Sequence, residues 1–497
     1  MQEIEVFHFN ELLNDRGVGV DLKSIDKLVS VCDEIRNDYE DKVRALTGGM
    51  VDSAKAVSQA MKWIAKQGKP VPDLTARTID QLLSPEIAAT FPPQVVQFLE
   101  YRKIVSRSSI AKFNAFQETV SPDGKIHGMM FYHGAHTGRW TSKLVQLQNF
   151  PRGKAKLDDE DLELIFTCLH NSDPREFIEF LEEHCILKHT AHWISPIEVI
   201  STLLRSMIVP DEGKVMLIYD YASIESRVLA WLADCKELLD AFKKTDSGEV
   251  SWDVYMLMAS NIYKDDVESY TKSDPKRQHG KAVVLGCGYG MGPAKFHETC
   301  ASQGLTLTEE EANNMVYSFR DSFAEIPQLW YRIDSVMKDV AKKVDSSPIK
   351  ATDNISFYRT NSFVFCRLPN GRDLAYPMME VKNELNPYLG KTVEALSYMG
   401  SDVQHPWCRK KIYGAKAVEN IVQAVARDLM VDAMLKLEKA GFEVLFSVHD
   451  EIVCQIWQED CTPERIAQFE EIMTTVPEWA TGLPIQVEGT ESARYRK

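Results

Sequence analysis

Two aspartates stand where apolar runs end. Lys214-Val-Met-Leu-Ile-Tyr-Asp220 has the pattern of a short buried strand closed by a carboxylate. Glu443-Val-Leu-Phe-Ser-Val-His-Asp-Glu-Ile-Val-Cys-Gln-Ile-Trp457 reads as two apolar strands joined by a tight hairpin, with His449 and Asp450 at its tip and Glu451 beside them. Asp220 and Asp450 are 230 residues apart, but strand ends within one sheet can converge. A strand-end aspartate is also an ordinary cap for a turn or helix. As a converging pair the two would offer hard oxygen ligands on a rigid platform, which is what Mg²⁺ needs alongside water and substrate phosphates. Two such ions about 4 Å apart can activate an attacking oxygen and stabilise a leaving one.

A second constellation lies at 273–292. Asp274 is a natural N-cap and Pro275 a natural first helical residue. Arg277, Lys281, Leu285 and Tyr289 then recur at four-residue steps, a slowly drifting stripe about 18 Å long at 1.5 Å per residue. Arg and Lys one turn apart can grip a polyphosphate, and Tyr289 can lie against a base. The plainer reading is an amphipathic surface helix with a glycine-rich stop. Gly286, Gly288, Gly290 and Gly292 do not fit G-x-G-x-x-G, and no G-K-[ST] occurs, so the dinucleotide-fold and P-loop readings fail on spacing.

The elements that must position these residues belong to a chain of 497 residues, with 57 Lys and Arg against 73 Asp and Glu and a formal net charge of -16. Hydrophobic content of 44% and charged content of 26% exclude a disordered or fibrous chain. The length suggests about three structural units. No apolar run is long enough to cross a bilayer and no secretory signal is visible, so a cytoplasmic protein with no membrane partner is expected. The ten cysteines are scattered, without a C-x-x-C pair, and read as reduced core thiols. Three acid-free basic windows interrupt the acidic background. Residues 102–112 carry Arg102, Lys103, Arg107 and Lys112; residues 139–156 carry Arg139, Lys143, Arg152, Lys154 and Lys156; residues 409–416 carry Arg409, Lys410, Lys411 and Lys416. Each alone is a solvated face; together they suit local phosphate contacts.

Helical spacing dominates residues 1–115, glycine-punctuated short strands 116–150, and an acidic helical stretch resembling a surface insertion 157–190. Residues 224–345 read as mostly helix, with Thr308 and Glu311 at capping-box spacing. A hairpin is expected at 363–376 and a long helix at 415–440.

Asp220-Tyr-Ala-Ser-Ile-Glu-Ser-Arg227 resembles motif A of the family A DNA polymerases, Arg277-x-x-x-Lys281 with Tyr289-Gly290 resembles motif B, and His449-Asp-Glu451 resembles motif C. Thr137-Gly-Arg139 followed by Leu147-Gln-Asn-Phe-Pro151 is similar to the family's T-G-R…L-Q-N-x-P segment. All four occur in the family's order, and the phrasing is most like phage and prophage members. The resemblance implies an α+β right hand: a helical thumb at 1–115, an antiparallel-sheet palm at 116–235 and 415–497 (interrupted at about 157–190), and helical fingers at 236–414. It implies template-directed addition of dNTPs to a primer 3′-hydroxyl with release of pyrophosphate. Asp220 and Asp450 would hold two Mg²⁺ (Mn²⁺ can substitute), helped by the Tyr221 carbonyl. Glu225 would exclude a sugar 2′-hydroxyl. Arg277 and Lys281 would contact the triphosphate, with Lys281 protonating the leaving group, while Leu285 and Tyr289 flank the nucleotide. Arg139 and Gln423 would read minor-groove acceptors, His449 would support the primer terminus, and Arg107, Lys112 and Arg152 would line the duplex.

Three departures matter. Leu285 stands where the family usually has an aromatic residue, which bears on dideoxynucleotide discrimination. Glu419 stands where Asn is common, so Glu419 is expected to turn aside and Asn420 to serve instead. The thumb begins within the first twenty or so residues, leaving no room for a 3′–5′ exonuclease, so a separate exonuclease or processivity factor is a possible partner; Asp161-Leu-Glu163 has exonuclease-like spacing but no strand context. Two other readings remain: a single-subunit RNA polymerase, which Glu225 opposes, and an inactive nucleic-acid-binding accessory protein, which the intact Asp220, Asp450, Arg277 and Lys281 oppose. If the basic windows track a duplex, the primer-template Kd rises steeply with salt, by about 10³-fold or more between 50 and 200 mM for six or more phosphate contacts. Fluorescence anisotropy titrations across that range measure it.

Overall fold

A computed structural model of the chain describes residues 3–106, 109–150, 153, 157–184, 195–386, 390–401 and 405–496. Helices and antiparallel sheets occupy largely separate stretches, an α+β arrangement.

The sheet that carries both aspartates has four strands, in the order Glu443–Val448, Glu451–Trp457, Lys214–Tyr221, Val487–Ser492. All its pairings are antiparallel. Lys214–Tyr221 is central and its Met216–Tyr219 core is buried, as its unbroken apolar run requires. Register sets Asp220 opposite Glu451 on one side and Glu488 on the other. Tyr219 lies opposite Gly489, where any Cβ would collide with its ring, so the neighbouring strand carries no side chain there. The Tyr219 ring packs 4.9 Å from that of Phe469, on the Pro463–Thr474 helix.

The Gly414–Lys439 helix is buried nearly all round and also covers this sheet. It carries two fully buried charges, Arg427 and Asp428. Arg427 donates from Nη1 and Nη2 to the Glu3 carboxylate at 2.8 and 3.0 Å, and from Nη1 to Asp428 at 3.1 Å. Asp428 also accepts from Arg372 Nε at 3.0 Å. Burial pushes the Glu3 carboxyl up, but hydrogen bonds and charge from Arg427 outweigh it and hold the group below the usual range.

Three stretches differ from expectation. Among the described residues, 236–414 are helical only as far as Ala341. Beyond it, Ser346–Lys350, Ser356–Thr360, Phe363–Arg367 and Asp373–Pro377 form one sheet, and Glu380–Asn386, Lys391–Gly400 and Cys408–Ile412 another. The expected 363–376 hairpin is one corner of the first. The acidic stretch at 157–190 is not peripheral: Leu162, Ile165, Phe166 and Leu169 of the Asp159–Asn171 helix are buried against the main core, and Asp161 completes a capping box with Asp158. Within residues 1–115, Val43 to Val105 form a separate hydrophobic core, while Val6, Phe9 and Leu13 of the first helix belong to the main one.

The helix Pro275–Cys287 begins as the sequence implies, with Asp274 accepting from the Lys276 amide and Pro275 following. It packs along the Val254–Tyr263 helix, and the contact is closest at Gly280. A Cβ at position 280 would sit on the Tyr255 carbonyl oxygen and 3.0 Å from the Ala259 nitrogen, both backbone atoms that cannot swing away. Gly280→Ala is therefore expected to cost about 1–3 kcal/mol by overpacking. Gly286→Ala on the same helix would meet only the Met291 and Phe296 side chains, at 3.6 and 3.7 Å. It should be neutral or slightly stabilising through helix propensity. Paired thermal melts compare the two.

Candidate active site

Asp220 is the penultimate residue of its strand. The chain then turns through Ala222 and Ser223 into the helix Ile224–Ala233, with Ser223 at φ 54°. Two backbone bonds fix this turn: the Tyr221 amide donates to the Asp450 carbonyl at 3.0 Å, and the Ala222 amide to the Gln486 carbonyl at 2.9 Å. The first ties the two aspartate-bearing segments directly together. His449 and Asp450 form the two-residue hairpin turn between the paired residues Val448 and Glu451. His449 has φ 55°, a conformation that non-glycine residues rarely adopt. Its ring nitrogen Nε2 lies 3.1 Å from the Gln148 carbonyl, and since a carbonyl only accepts, Nε2 carries the proton. Glu451 turns inward instead: it is buried and accepts from the Tyr495 hydroxyl at 2.7 Å, to which Arg205 donates in turn.

A polar chain links this hairpin to the region beyond the Pro275–Cys287 helix. Arg139 Nη2 donates to Asp450 Oδ1 at 3.1 Å and to Glu225 Oε1 at 2.7 Å, and the Tyr289 hydroxyl donates to Glu225 Oε2 at 3.3 Å. Burial, then the Glu225 charge, push the Tyr289 hydroxyl well above its ordinary value, so it remains a donor. Two buried guanidiniums hold the loop that delivers Arg139: Arg427 Nε donates to the Gly138 carbonyl at 3.0 Å and Arg372 Nη2 to the Thr137 carbonyl at 3.1 Å.

On the Pro275–Cys287 helix, Arg277 donates from Nε and Nη2 to Asp253 Oδ2 at 2.9 and 2.6 Å. Lys281 is exposed. Leu285 is 49% exposed, at the lip of a cavity of about 460 Å³ lined also by Gln278, Lys281, Met291 and Phe296. Gln423 is half-buried on the long helix. One turn before it, Glu419 pairs with Lys416 at 2.8 Å. Asn420 cannot stand in for it: that side chain is buried, with Nδ2 donating to the Tyr376 hydroxyl at 3.4 Å.

Among its described residues, the basic window at 102–112 does not form a free phosphate-binding face. Arg102 is buried, donating to the carbonyls of Ala54 and Leu74, and Lys103 pairs with Asp80 at 2.6 Å. Lys112 is half-buried, 3.3 Å from the Val145 carbonyl, and burial lowers its pKa. Arg107 and Arg152 lie outside the described residues. Asp253, Tyr255 and Ser223 were missed by sequence reasoning. Asp253 carries a signal, a capping residue before an apolar stretch, and the structure shows it capping the Val254–Tyr263 helix. Tyr255 carries none, because its contacts are tertiary.

A family model described as DNA polymerase family A matches residues 25–349. The DNA polymerase of Bacillus phage SP02 is 30% identical over 496 residues, spanning 100% of this chain and 71% of that protein. DNA polymerase I of Lactococcus lactis subsp. cremoris is 22% identical over 384 residues, and the aligned part is 32% of its length. Among solved structures, the POL domain of Pol1 from M. smegmatis, in complex with DNA primer-template and dNTP, matches 99% of this chain and 70% of that one, at TM-score 0.61 and 18% identity. From the motif residues, the family model and the phage relative aligned along the whole of this chain, the chain belongs to DNA polymerase family A.

Proposed function

We propose that Asp220 and Asp450 are the metal-holding residues of a template-directed DNA polymerase, and that the residues joined to them do the positioning. Family membership makes the chain a DNA-directed DNA polymerase that acts on primer-template DNA and dNTPs. Divalent metal use goes with the family; the two-ion assignment is this reading's own. The observation that carries it is the Tyr221–Asp450 backbone bond, which brings two carboxylate-bearing strand ends side by side. The donors suit Mg²⁺, being hard oxygens on a rigid sheet, with the Asp450 side chain 28% exposed and so reachable by a bound phosphate. When bound, the two ions supply charge neutralisation at the attacking and leaving oxygens.

The rest of the work is positioning. The primer 3′-hydroxyl attacks the α-phosphate in line, and pyrophosphate leaves. Arg277 and Lys281 bring two cations to the triphosphate, and Lys281 is the proton donor to the leaving oxygen. Glu225, tied to Arg139 and Tyr289, presents a fixed carboxylate to the sugar 2′ position. Arg139 and Gln423 take the minor groove, and His449, fixed by its bond to Gln148, takes the primer end. Closure of the Pro275–Cys287 helix over a correct pair would exclude water. Arg139 must then exchange part of its contact with Asp450 for DNA. We place the reaction in the cytoplasm, that of the host if the chain is phage-encoded.

Asp220→Ala and Asp450→Ala should each reduce single-turnover primer extension by about 10³-fold or more, while primer-template affinity by anisotropy changes little. Near-wild-type extension by either variant would overturn the assignment. Glu225→Ala should raise the ratio of rNTP to dNTP incorporation by about 10–200-fold, the range a single steric contact can supply. Competition assays on one template read that ratio.

A further inference from the structure

The first turn of the Val254–Tyr263 helix faces the two cations of the neighbouring helix. Because Gly280 has no side chain, the Tyr255 backbone reaches the surface of the Pro275–Cys287 helix directly. Arg277 and Lys281 flank Gly280, one turn apart, so a ring projecting from position 255 meets both. The Tyr255 ring centroid is 5.3 Å from Arg277 Cζ and 5.8 Å from Lys281 Nζ, within the range of cation–π attraction. Its hydroxyl lies 2.8 Å from Ser223 Oγ, on the turn that follows Asp220. From the other side, Asp253 holds Arg277 by two hydrogen bonds to Oδ2, while its Oδ1 caps the helix through the amides of Tyr255 and Met256.

We infer that Asp253 and Tyr255 are positioning residues for the incoming triphosphate, acting through Arg277 and Lys281. The inference rests on the assignment of those two cations to the triphosphate. Arg and Lys are long and flexible, and ordering them at the moment of binding opposes affinity. The ring supplies a platform on which both are ordered beforehand, and the Asp253 carboxylate fixes the azimuth of the guanidinium. The Ser223 bond adds a distance constraint. It ties the platform to the strand end that carries Asp220, so the cation site and the carboxylate site are referenced to one turn of chain. A triphosphate that spans the two meets a preset separation. Asp253 competes with phosphate for Arg277, but it also keeps that guanidinium aimed in the empty state.

Tyr255→Leu removes the platform, Tyr255→Phe keeps it, and Asp253→Asn keeps the capping oxygen but removes the charge. Single-turnover incorporation against dNTP concentration, with primer-template affinity measured alongside, separates nucleotide binding from chemistry. Tyr255→Leu is expected to weaken the apparent dNTP Kd by about tenfold, with the maximal rate and DNA affinity little changed. Tyr255→Phe should recover most of that loss, and Asp253→Asn should weaken dNTP binding in the same direction. Combined with Arg277→Ala, Tyr255→Leu should add much less than it does alone, since the two act as a unit. A Tyr255→Leu dNTP Kd within about twofold of wild type, or a Tyr255→Phe variant as impaired as Tyr255→Leu, would overturn the inference. If Tyr255→Leu does not fold, an unchanged dNTP Kd in Asp253→Asn overturns it instead. If Arg277→Ala and Lys281→Ala themselves leave the dNTP Kd unchanged, the underlying cation assignment fails, whatever Tyr255 does.

Discussion

One backbone hydrogen bond, from the Tyr221 amide to the Asp450 carbonyl, holds together what the chain separates by 230 residues. Its position is not adjustable. Side chains alternate across a strand, so a slip of one residue would turn Asp220 toward the face where Tyr219 packs on Phe469. That would bury a carboxylate and expose a tyrosine, and both changes are unfavourable. Gly489 fixes the same register from the other neighbour, since only a residue without Cβ fits opposite the Tyr219 ring. The apolar core of the sheet thus sets where the carboxylates emerge.

Charge is handled in layers around that point. The half-buried Glu3 and the buried Arg427, Asp428 and Arg372 side chains join the first helix, the long helix and a hairpin of the 346–377 sheet. A buried ion pair of this kind is weak evidence for net stability, because desolvation offsets much of the attraction. Its contribution here is geometric. Both guanidiniums also donate to carbonyls just before Arg139, and a Cβ on Gly138 would lie 2.8 Å from Arg372 Nη1. The loop is closed onto the buried cations, and Arg139 emerges from it at Asp450 and Glu225.

How much of this was legible depends on whether the cause is local. Asp220 and Asp450 show in the sequence because apolar runs stop at them, and the Pro275–Cys287 helix shows because Asp274 and Pro275 mark its start. The 346–412 sheets were partly hidden: their strands are short, and several face solvent with alternating Lys and Glu, as in Lys382 with Glu380 and Lys411 with Glu384. Asn420 was misread for a related reason. One residue along a helix is about 100° of rotation, and at 420 that rotation points at Tyr376, a contact that exists only after the sheet has folded. Arg102 looked like a surface cation because sequence shows charge and not burial; its guanidinium completes carbonyls inside the second core. Tyr255 was invisible because its contacts with Arg277, Lys281 and Ser223 exist only once the helices have packed.

The same contacts say which parts can move independently. The Val254–Tyr263 and Pro275–Cys287 helices meet backbone to side at Gly280 and are joined by Arg277 on Asp253, so they are tied to each other directly. Between that pair and the Asp220 turn with its following helix, two hydroxyl contacts stand out: Tyr255 on Ser223 and Tyr289 on Glu225. A hydrogen bond of this type contributes about 1 kcal/mol net, somewhat more when its partner is charged. On the proposed roles, each would be weak enough for a bound nucleotide to exchange, yet directional enough to return the helix to one place. Hydroxyl contacts at Ser223 and Glu225 therefore suit the closing helix of the proposed mechanism, and they place its reference point within five residues of Asp220.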